Sequence, residues 1–175
     1  MVIYHGDNHN TTSLDPALMN NGNNEIGIGI SFGSYEVAET YGKNIVEALI
    51  NPERFVDARG DLGEEIDSEC ITKLLLELHP INKDFLYYEL TDWGYEIMDR
   101  NSIEEDEAFL LVRCYQDEEV RNFQTSMAKA YGVEKFVEAW NKHVKIDGTF
   151  LKRTEDETWY AIINTDISVE KIEGN

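Results

Sequence analysis

Three short segments of the 175-residue chain carry side chains whose types and spacing could do chemistry: residues 4–6, 27–41 and 155–160. In the first, His5 follows a short apolar run and could hydrogen-bond a ligand hydroxyl. The second begins with alternating glycines, which often mark a close approach of a ligand or of backbone. The third is an acidic triplet that ends in Glu157 and precedes a strand, and a carboxylate can stabilise a developing cation. Taken singly, each has an ordinary structural explanation, so their joint order is what indicates a site.

The elements that must position these segments are strands near both ends of the chain. Hydrophobic patterning predicts strands at residues 2–5, 26–32, 45–50, 150–151, 158–163 and 167–172. A short helix at residues 35–41, capped by Ser34 and closed by Gly42, follows the glycine-rich strand. Residues 7–25 are rich in Asn, Thr, Ser, Asp and Gly, which is typical of loops.

The middle of the chain has helical spacing instead. It predicts helices at residues 65–78, 84–99, 103–115, 118–131 and 133–144. We therefore expect one α+β domain over residues 1–175, in which strands from both ends form a split antiparallel sheet. Its core comprises residues 1–60 and 145–175, and an acidic helical insertion covers about residues 61–144.

The charge is strongly acidic and unevenly distributed. Fifteen basic and 35 acidic residues give a formal net charge of −20, and residues 61–120 alone hold 18 acidic and 4 basic residues. Such a surface disfavours nucleic acid and anionic membranes as direct partners. It is explained either by a solvated helical face or by a docking surface for a basic protein. The chain has no long apolar run and no signal-peptide pattern at its start, so we expect a cytoplasmic protein.

Other common chemistries lack their motifs. The four histidines are scattered without metal-ligand spacing, and no nucleophile elbow or Walker loop occurs, so we expect no metal. Cys70 and Cys114 lie in helical apolar patterns and are interpreted as core residues.

The three segments together resemble the ADP-ribosyltransferase superfamily, in the histidine-tyrosine-glutamate branch of diphtheria-like toxins and poly-ADP-ribose polymerases. The family's first strand ends in His-Gly, matched by residues 5–6. Its G-x-G-[IL]-[YF]-F-x-[DS] motif with a following A-x-x-Y is matched by residues 27–34 and 38–41. A strand ending in Asn-Pro is matched by residues 45–52, and the strand opening with the catalytic Glu by residues 157–162 after Asp147-Gly148. The resemblance covers about the first 55 and the last 30 residues.

The small phage-encoded anti-CRISPR members of this family are similar in detail. The resemblance implies an NAD-dependent mono-ADP-ribosyltransferase that modifies a host protein in the bacterial cytoplasm, such as a basic, nucleic-acid-binding Cas effector subunit. The chain departs from the motif at Ser31, where the family usually has a tyrosine that stacks on nicotinamide. Stacking is therefore expected to fall to Tyr41, with Tyr35 or Phe32 as alternatives.

The resemblance assigns a role to each site residue. His5 would bind a ribose hydroxyl, and the Gly6 backbone would bind the carboxamide of NAD, the co-substrate. Ser31, Phe32 and Tyr41 would complete the cofactor site. Glu157 and His5 would be the catalytic residues, with Asp156 or Glu155 as the acid if the hairpin register differs.

Two alternatives to a transferase stay open at this point. One is an acidic binding module with a weak or inactive NAD site, which inhibits a nucleic-acid-binding protein by imitating nucleic-acid charge. The other is an NAD hydrolase that acts as a toxin without a protein acceptor.

Overall fold

The computed structural model describes residues 1–8, 11–19, 25–78 and 117–172, which form a mixed α+β fold with two β-sheets. The strands are β1 Val2–Asp7, β2 Ile30–Phe32, β3 Asn44–Leu49, β4 Phe55–Asp57, β5 Gly148–Lys152, β6 Thr158–Ile162 and β7 Val169–Lys171. The helices are α1 Tyr35–Tyr41, α2 Leu62–Glu65, α3 Ser68–Leu78, α4 Val120–Tyr131 and α5 Val133–His143. Short 3-10 turns occupy Pro16–Leu18 and Pro52–Arg54. The helices predicted at 84–99 and 103–115, and Cys114, lie outside the described residues.

Each sheet combines strands from both ends of the chain. The first has the order β1-β3-β7 and is antiparallel throughout, while the second has the order β2-β6-β5-β4. The expected α+β class is therefore confirmed. The expectation of antiparallel pairing alone is wrong, because β4 pairs parallel with β5, with Phe55 opposite Gly148. The chain leaves β4 for the helices and returns in the same direction, as a parallel pair requires.

One backbone bridge joins the two sheets. Tyr4 in β1 and Gly33, directly after β2, exchange both of their backbone hydrogen bonds, at 3.0 and 2.8 Å. The bridge is isolated, so backbone pairing between β1 and the end of β2 is confined to this point. It fixes the relative position of the two sheets without merging them into one.

Helix α1 forms as its local signals predict. The Ser34 hydroxyl oxygen accepts a hydrogen bond from the Val37 N–H at 3.3 Å, and the helix ends at Gly42. A serine N-cap of this kind satisfies one of the backbone donors that a helix start leaves unpaired. The capping places α1 directly after the bridge between the sheets, where it packs on β1.

The predicted strand at 26–32 is wrong over its first four residues. Gly27 has φ +95° and Gly29 has φ +144°, which an extended strand of L-residues does not adopt, so only Ile30–Phe32 is strand. The Ile28 N–H donates to the side-chain oxygen of Gln124, a fully buried residue of α4, at 3.0 Å. The glycines thus form a turn that is held by a helix from the middle of the chain.

The main core lies between the sheets and helices α3, α4 and α5. Its largest fully buried side chains are Trp140, Phe123 and Phe136. The indole N–H of Trp140 donates to the Ile146 carbonyl at 3.1 Å, so its one polar atom is satisfied. Cys70 packs at the edge of this core, in partial agreement with its expected place. None of the described helices combines the length and the apolar character needed to cross a membrane.

Helix α3 begins three residues later than predicted. A separate short helix, α2, precedes it over Leu62–Glu65, and α3 starts at Ser68. Near the end of α3, the Glu77 carboxylate accepts hydrogen bonds from Lys142 at 2.7 Å and from His143 at 2.5 Å, both on α5. This cluster ties the two helices together at the surface.

The glycine turn gives a first prediction, on stability. Gly27→Ala is expected to lower the free energy of unfolding by about 1–3 kcal/mol more than Gly132→Ala, because it also leaves the Ile28 N–H unpaired. Gly132 is a matched control, with φ +92° and nothing within 4 Å of an added Cβ, whereas at Gly27 that atom would lie 2.1 Å from the Gln124 oxygen. Urea unfolding of the two variants measures the difference. Equal losses would show that the Gln124 contact contributes nothing.

The α3–α5 cluster gives a second prediction, on pH dependence. Hydrogen bonds from Lys142 and then His143 hold the pKa of Glu77 below its ordinary value of 4.5. A carboxyl group with a lowered pKa in the folded state contributes stability that is present above the unfolded pKa and is lost as the pH falls through the folded pKa. The stability difference between the wild type and Glu77→Gln should therefore narrow as the pH falls from 6 to about 3.

Urea midpoints over that pH range measure the Glu77 contribution. Glu138→Gln is the control, because Glu138 forms an exposed pair with Lys135 on α5 and is expected to leave the profile unchanged. The Glu77 side chain is 36% exposed, so solvent screening keeps its effect modest. Parallel profiles for the wild type and Glu77→Gln would contradict the prediction.

Candidate functional site

A cleft opens where the two sheets part beyond the Tyr4–Gly33 bridge. Continued antiparallel pairing would bring Gly6 opposite Ser31, but β1 and β2 diverge instead. The His5 ring spans the gap, and its Nδ1–H donates to the Ser31 carbonyl at 2.8 Å. The His5 side chain thereby provides a hydrogen bond to the Ser31 carbonyl, with which no residue of β1 pairs through its backbone.

The backbone groups of Gly6 face this cleft. In an antiparallel ladder, successive residues point their N–H and C=O groups to opposite sides of the strand. Met1 exchanges hydrogen bonds with Ile50, at the end of β3, while Tyr4 exchanges them with Gly33. Gly6 has the same parity as Tyr4, so its N–H and C=O point away from β3, to the side on which β2 lies.

Gly6 must be a glycine because of packing as well. An added Cβ would lie 1.9 Å from the Ala38 carbonyl oxygen of α1. This steric requirement differs from the role that the resemblance gives to the residue, which concerns approach of a ligand to its backbone. Both arise from the same feature, since α1 and the cleft flank β1 at this position.

A cavity of about 300 Å³ lies between β1, the β2–α1 segment and β6. All five residues that the sequence resemblance assigns to cofactor binding line it: His5, Gly6, Ser31, Phe32 and Tyr41. Trp159 of β6 closes another part of the wall. Tyr41 is 58% exposed at the mouth, with its ring centroid 6.2 Å from that of Trp159 and nearly perpendicular to it.

A second, larger cavity adjoins the first. It has a volume of about 710 Å³ and shares His5 and Ser31 with the smaller cavity. The 3-10 turn Pro16–Leu18 and the start of α5, at Val133 and Glu134, form other parts of its wall. Volumes of a few hundred Å³ or more are typical of small-molecule sites.

Asp7 is a site residue that the sequence analysis missed. Its carboxylate oxygen Oδ2 lies 3.6 Å from His5 Nε2 and accepts hydrogen bonds from the N–H and the hydroxyl of Thr11. Since Nδ1–H donates to Ser31, Nε2 is the nitrogen that accepts in the neutral ring. The hydrogen bond to the Ser31 carbonyl therefore fixes the tautomer and the orientation of the neutral imidazole, whereas the Asp7 carboxylate is an ion-pair partner only for a protonated ring.

Glu157 lies at the end of the β5–β6 hairpin. Its carbonyl accepts hydrogen bonds from the N–H groups of Arg153 and Thr154, at 2.8 and 3.3 Å, which fixes the hairpin register. Its carboxylate accepts from the Trp159 indole N–H at 2.6 Å. Glu155 and Asp156 are exposed at the hairpin tip. Of the three candidate acids, Glu157 is the one with a direct hydrogen bond to the cavity wall.

Trp159 is the second residue that the sequence analysis did not assign to the site. It stands two residues after Glu157, and in a strand such residues point to the same face. The Arg153 guanidinium lies 4.5 Å from its ring centroid, and Arg153 also pairs with Glu25 at 2.7 Å. The spacing from Glu157 to Trp159 was readable in the sequence, but the contact with Arg153 was not.

The described ranges contain no group of three or more His, Cys, Asp or Glu side chains arranged to hold a metal ion. Comparison with protein-family models, curated proteins and solved structures gave no significant match. The sheet topology and the cavity define a mixed α+β protein with two sheets and a cleft between them where they part.

Proposed function

We propose that the protein is an NAD-dependent mono-ADP-ribosyltransferase that modifies a protein. The observation that carries the proposal is the gathering of residues. His5, Gly6, Ser31, Phe32 and Tyr41, chosen from two separate segments of sequence, line one cavity. Glu157, from the far end of the chain, is hydrogen-bonded to Trp159 in the wall of the same cavity.

The proposed reaction replaces nicotinamide at C1′ of its ribose. The C1′–N bond breaks and its electron pair leaves with nicotinamide, which becomes neutral, so a general acid is not needed. The ribose passes through an oxocarbenium-like state, as in glycoside hydrolysis. A nucleophilic atom of the acceptor protein then bonds to C1′ and loses its proton to water. The main requirement is a carboxylate fixed near the developing cation, which is the role of Glu157.

The other residues would hold the co-substrate in place. The N–H and C=O of Gly6 face the cleft and can pair with the carbonyl and the amino group of the carboxamide. His5 Nε2 would bind a ribose hydroxyl, and the Tyr41 ring would pack on the pyridinium, which carries a positive charge before bond cleavage. The larger adjoining cavity, reached past His5 and Ser31, would take the rest of the dinucleotide.

The charge of the chain favours a basic acceptor protein. Residues 61–120 carry 18 acidic and 4 basic residues, which is more than a soluble surface needs. Opposite charges on the two partners would speed their encounter. A nucleic-acid-binding protein of the host, such as a Cas effector, has the required chemistry, and an anti-defence role for a phage protein would follow.

The same charge supports a second candidate function. An acidic protein with a net charge of −20 could occupy a nucleic-acid-binding surface without any chemistry. Ser31 favours this candidate, because a serine cannot stack on nicotinamide. NAD hydrolysis without a protein acceptor is the third possibility, which an experiment must distinguish from transfer and from binding alone.

Incubation with labelled NAD and a lysate of the bacterial host distinguishes the three. A labelled protein band that weakens as salt rises is expected for transfer to a basic acceptor. Free ADP-ribose without a band would indicate hydrolysis. Neither product, together with salt-sensitive binding of a basic protein, would replace the transferase with the binding module.

Substitution of Glu157 gives the third prediction. Glu157→Gln should keep the fold and lower turnover by a factor of about 100 or more, since loss of one electrostatic contact to the transition state costs about 3 kcal/mol. Glu155→Gln and Asp156→Asn are matched controls from the exposed hairpin tip and should retain activity. Turnover measured by release of nicotinamide decides the assignment. Full activity of Glu157→Gln would move the role to another acid.

Substitution of Tyr41 gives the fourth prediction. Tyr41→Ala should raise the KM for NAD, because the ring at the mouth of the cavity is lost, whereas Tyr41→Phe should leave KM nearly unchanged. The aromatic ring of Tyr41, and not its hydroxyl, is expected to bind the pyridinium of NAD. If both variants behave like the wild type, another aromatic residue such as Tyr35 or Phe32 stacks on the pyridinium.

A further inference from the structure

The Glu157 carboxylate belongs to a row of side chains that crosses the β5–β6 hairpin. Oε1 of Glu157 accepts the indole N–H of Trp159 at 2.6 Å. The Arg153 guanidinium covers the Trp159 ring at 4.5 Å, and Glu25 pairs with Arg153 at 2.7 Å. These contacts join the loop before the glycine turn to the end of the chain that carries Glu157.

A glutamate in this position needs such a support. Its side chain has three rotatable bonds and is only half-buried, so fixing it costs conformational entropy. A hydrogen bond to a charged acceptor is stronger than one between neutral groups, and a length of 2.6 Å indicates a short contact. The indole is rigid and is attached to the same strand face, so it can hold the carboxylate without moving itself.

The hydrogen bond also gives the two carboxylate oxygens of Glu157 different roles. Oε1 is engaged by Trp159, whose ring lines the cavity. Oε2 is then the oxygen that can meet a ligand hydroxyl or a developing positive charge. A carboxylate held at one oxygen presents the other in a fixed direction, which is what electrostatic preorganisation requires.

We propose that Trp159 is a positioning residue: its indole N–H orients the Glu157 carboxylate at the cavity wall, and Arg153 holds the indole in place. The Arg153 contact is attractive because a guanidinium over the face of a tryptophan gains cation–π energy. The pair between Arg153 and Glu25 is largely exposed and adds little by itself. The role of Trp159 in turnover rests on the proposed function, but its contact with Glu157 does not.

The first arm of the test examines the contact without NAD. The chain has three tryptophans, so its ¹⁵N-labelled form gives at most three indole N–H resonances, and loss of one in Trp159→Phe assigns it. Glu157→Ala should move that resonance upfield, because the carboxylate acceptor is lost, while Glu155→Ala should not. Glu157→Gln replaces Glu157→Ala if the alanine variant does not fold. A resonance that is insensitive to both Glu157 variants would overturn the proposal.

The second arm measures turnover of NAD by nicotinamide release. Trp159→Phe keeps an aromatic ring in the cavity wall but loses the indole N–H together with the five-membered ring that carries it, so kcat should fall about tenfold or more while the KM for NAD changes little. In a Glu157→Ala background the same substitution should lower kcat by less than about twofold, because Trp159 acts through the missing carboxylate. If Trp159 had a purely structural role, Trp159→Phe would lower kcat by the same factor in both backgrounds.

The outcomes separate the two proposals. Equal losses of kcat in both backgrounds would overturn the positioning role even where the resonance shows the contact. Wild-type protein that neither transfers nor hydrolyses NAD, but whose Trp159 resonance responds to Glu157, would overturn the proposed function and with it the part of Trp159 in that reaction. Its structural contact with Glu157 would stand.

Discussion

The parting of the two sheets beyond a single backbone bridge is the constraint on which the candidate site depends. Tyr4 and Gly33 hold β1 and β2 together, and divergence after that bridge leaves backbone groups that no strand satisfies. Buried polar groups need partners. His5 supplies one for the Ser31 carbonyl, and the groups of Gly6 are left facing the cleft. The backbone polar groups that face the cleft are therefore a by-product of incomplete strand pairing.

Strand β6 brings charged and aromatic side chains to this gap. Its alternate residues point to opposite faces, so Tyr160 and Ile162 pack on the main core while Trp159 and Ala161 belong to the other face. Glu157 continues the second face just before the strand begins. The Tyr160 ring meets Phe55 edge-on at 5.3 Å, which anchors the strand from behind. Packing on one face thus fixes the position of the charged and aromatic groups on the other.

The sequence predicted those elements whose signals are local. Helix α1 is bounded by Ser34 and Gly42 because a cap and a stop act within one turn, and β3 is bounded by Pro52 nearby. The alternating glycines were misread because period two is also what a strand shows. Their positive φ angles form a turn, and that turn is hydrogen-bonded to Gln124 of helix α4, which is distant in sequence.

The sequence predicted which residues lie at the candidate site but not the contacts between them. The five residues that the resemblance assigned to cofactor binding line one cavity, and Glu157 contacts its wall through Trp159. Which of the three candidate acids makes that contact depends on the hairpin register, which local patterns do not give. Asp7 and Trp159 were missed because their roles are contacts with His5 and Glu157. The two-residue spacing indicates that Glu157 and Trp159 share a strand face, but not that they are hydrogen-bonded. Strand β4 was missed because its three residues gain their strand character from a parallel partner far along the chain.

The pairing of distant segments sets the order in which such a chain can organise itself. Ile30 of β2 lies opposite Ile162 of β6, and Val46 of β3 lies opposite Lys171 of β7, so both sheets are completed by strands that leave the ribosome late. Pairings between residues so far apart in sequence are slow, because loop closure must precede the contacts that repay it. Helices α3 to α5 and the β1–β3 pair have much shorter separations and can form earlier. The cleft is consequently among the last features to assemble during synthesis.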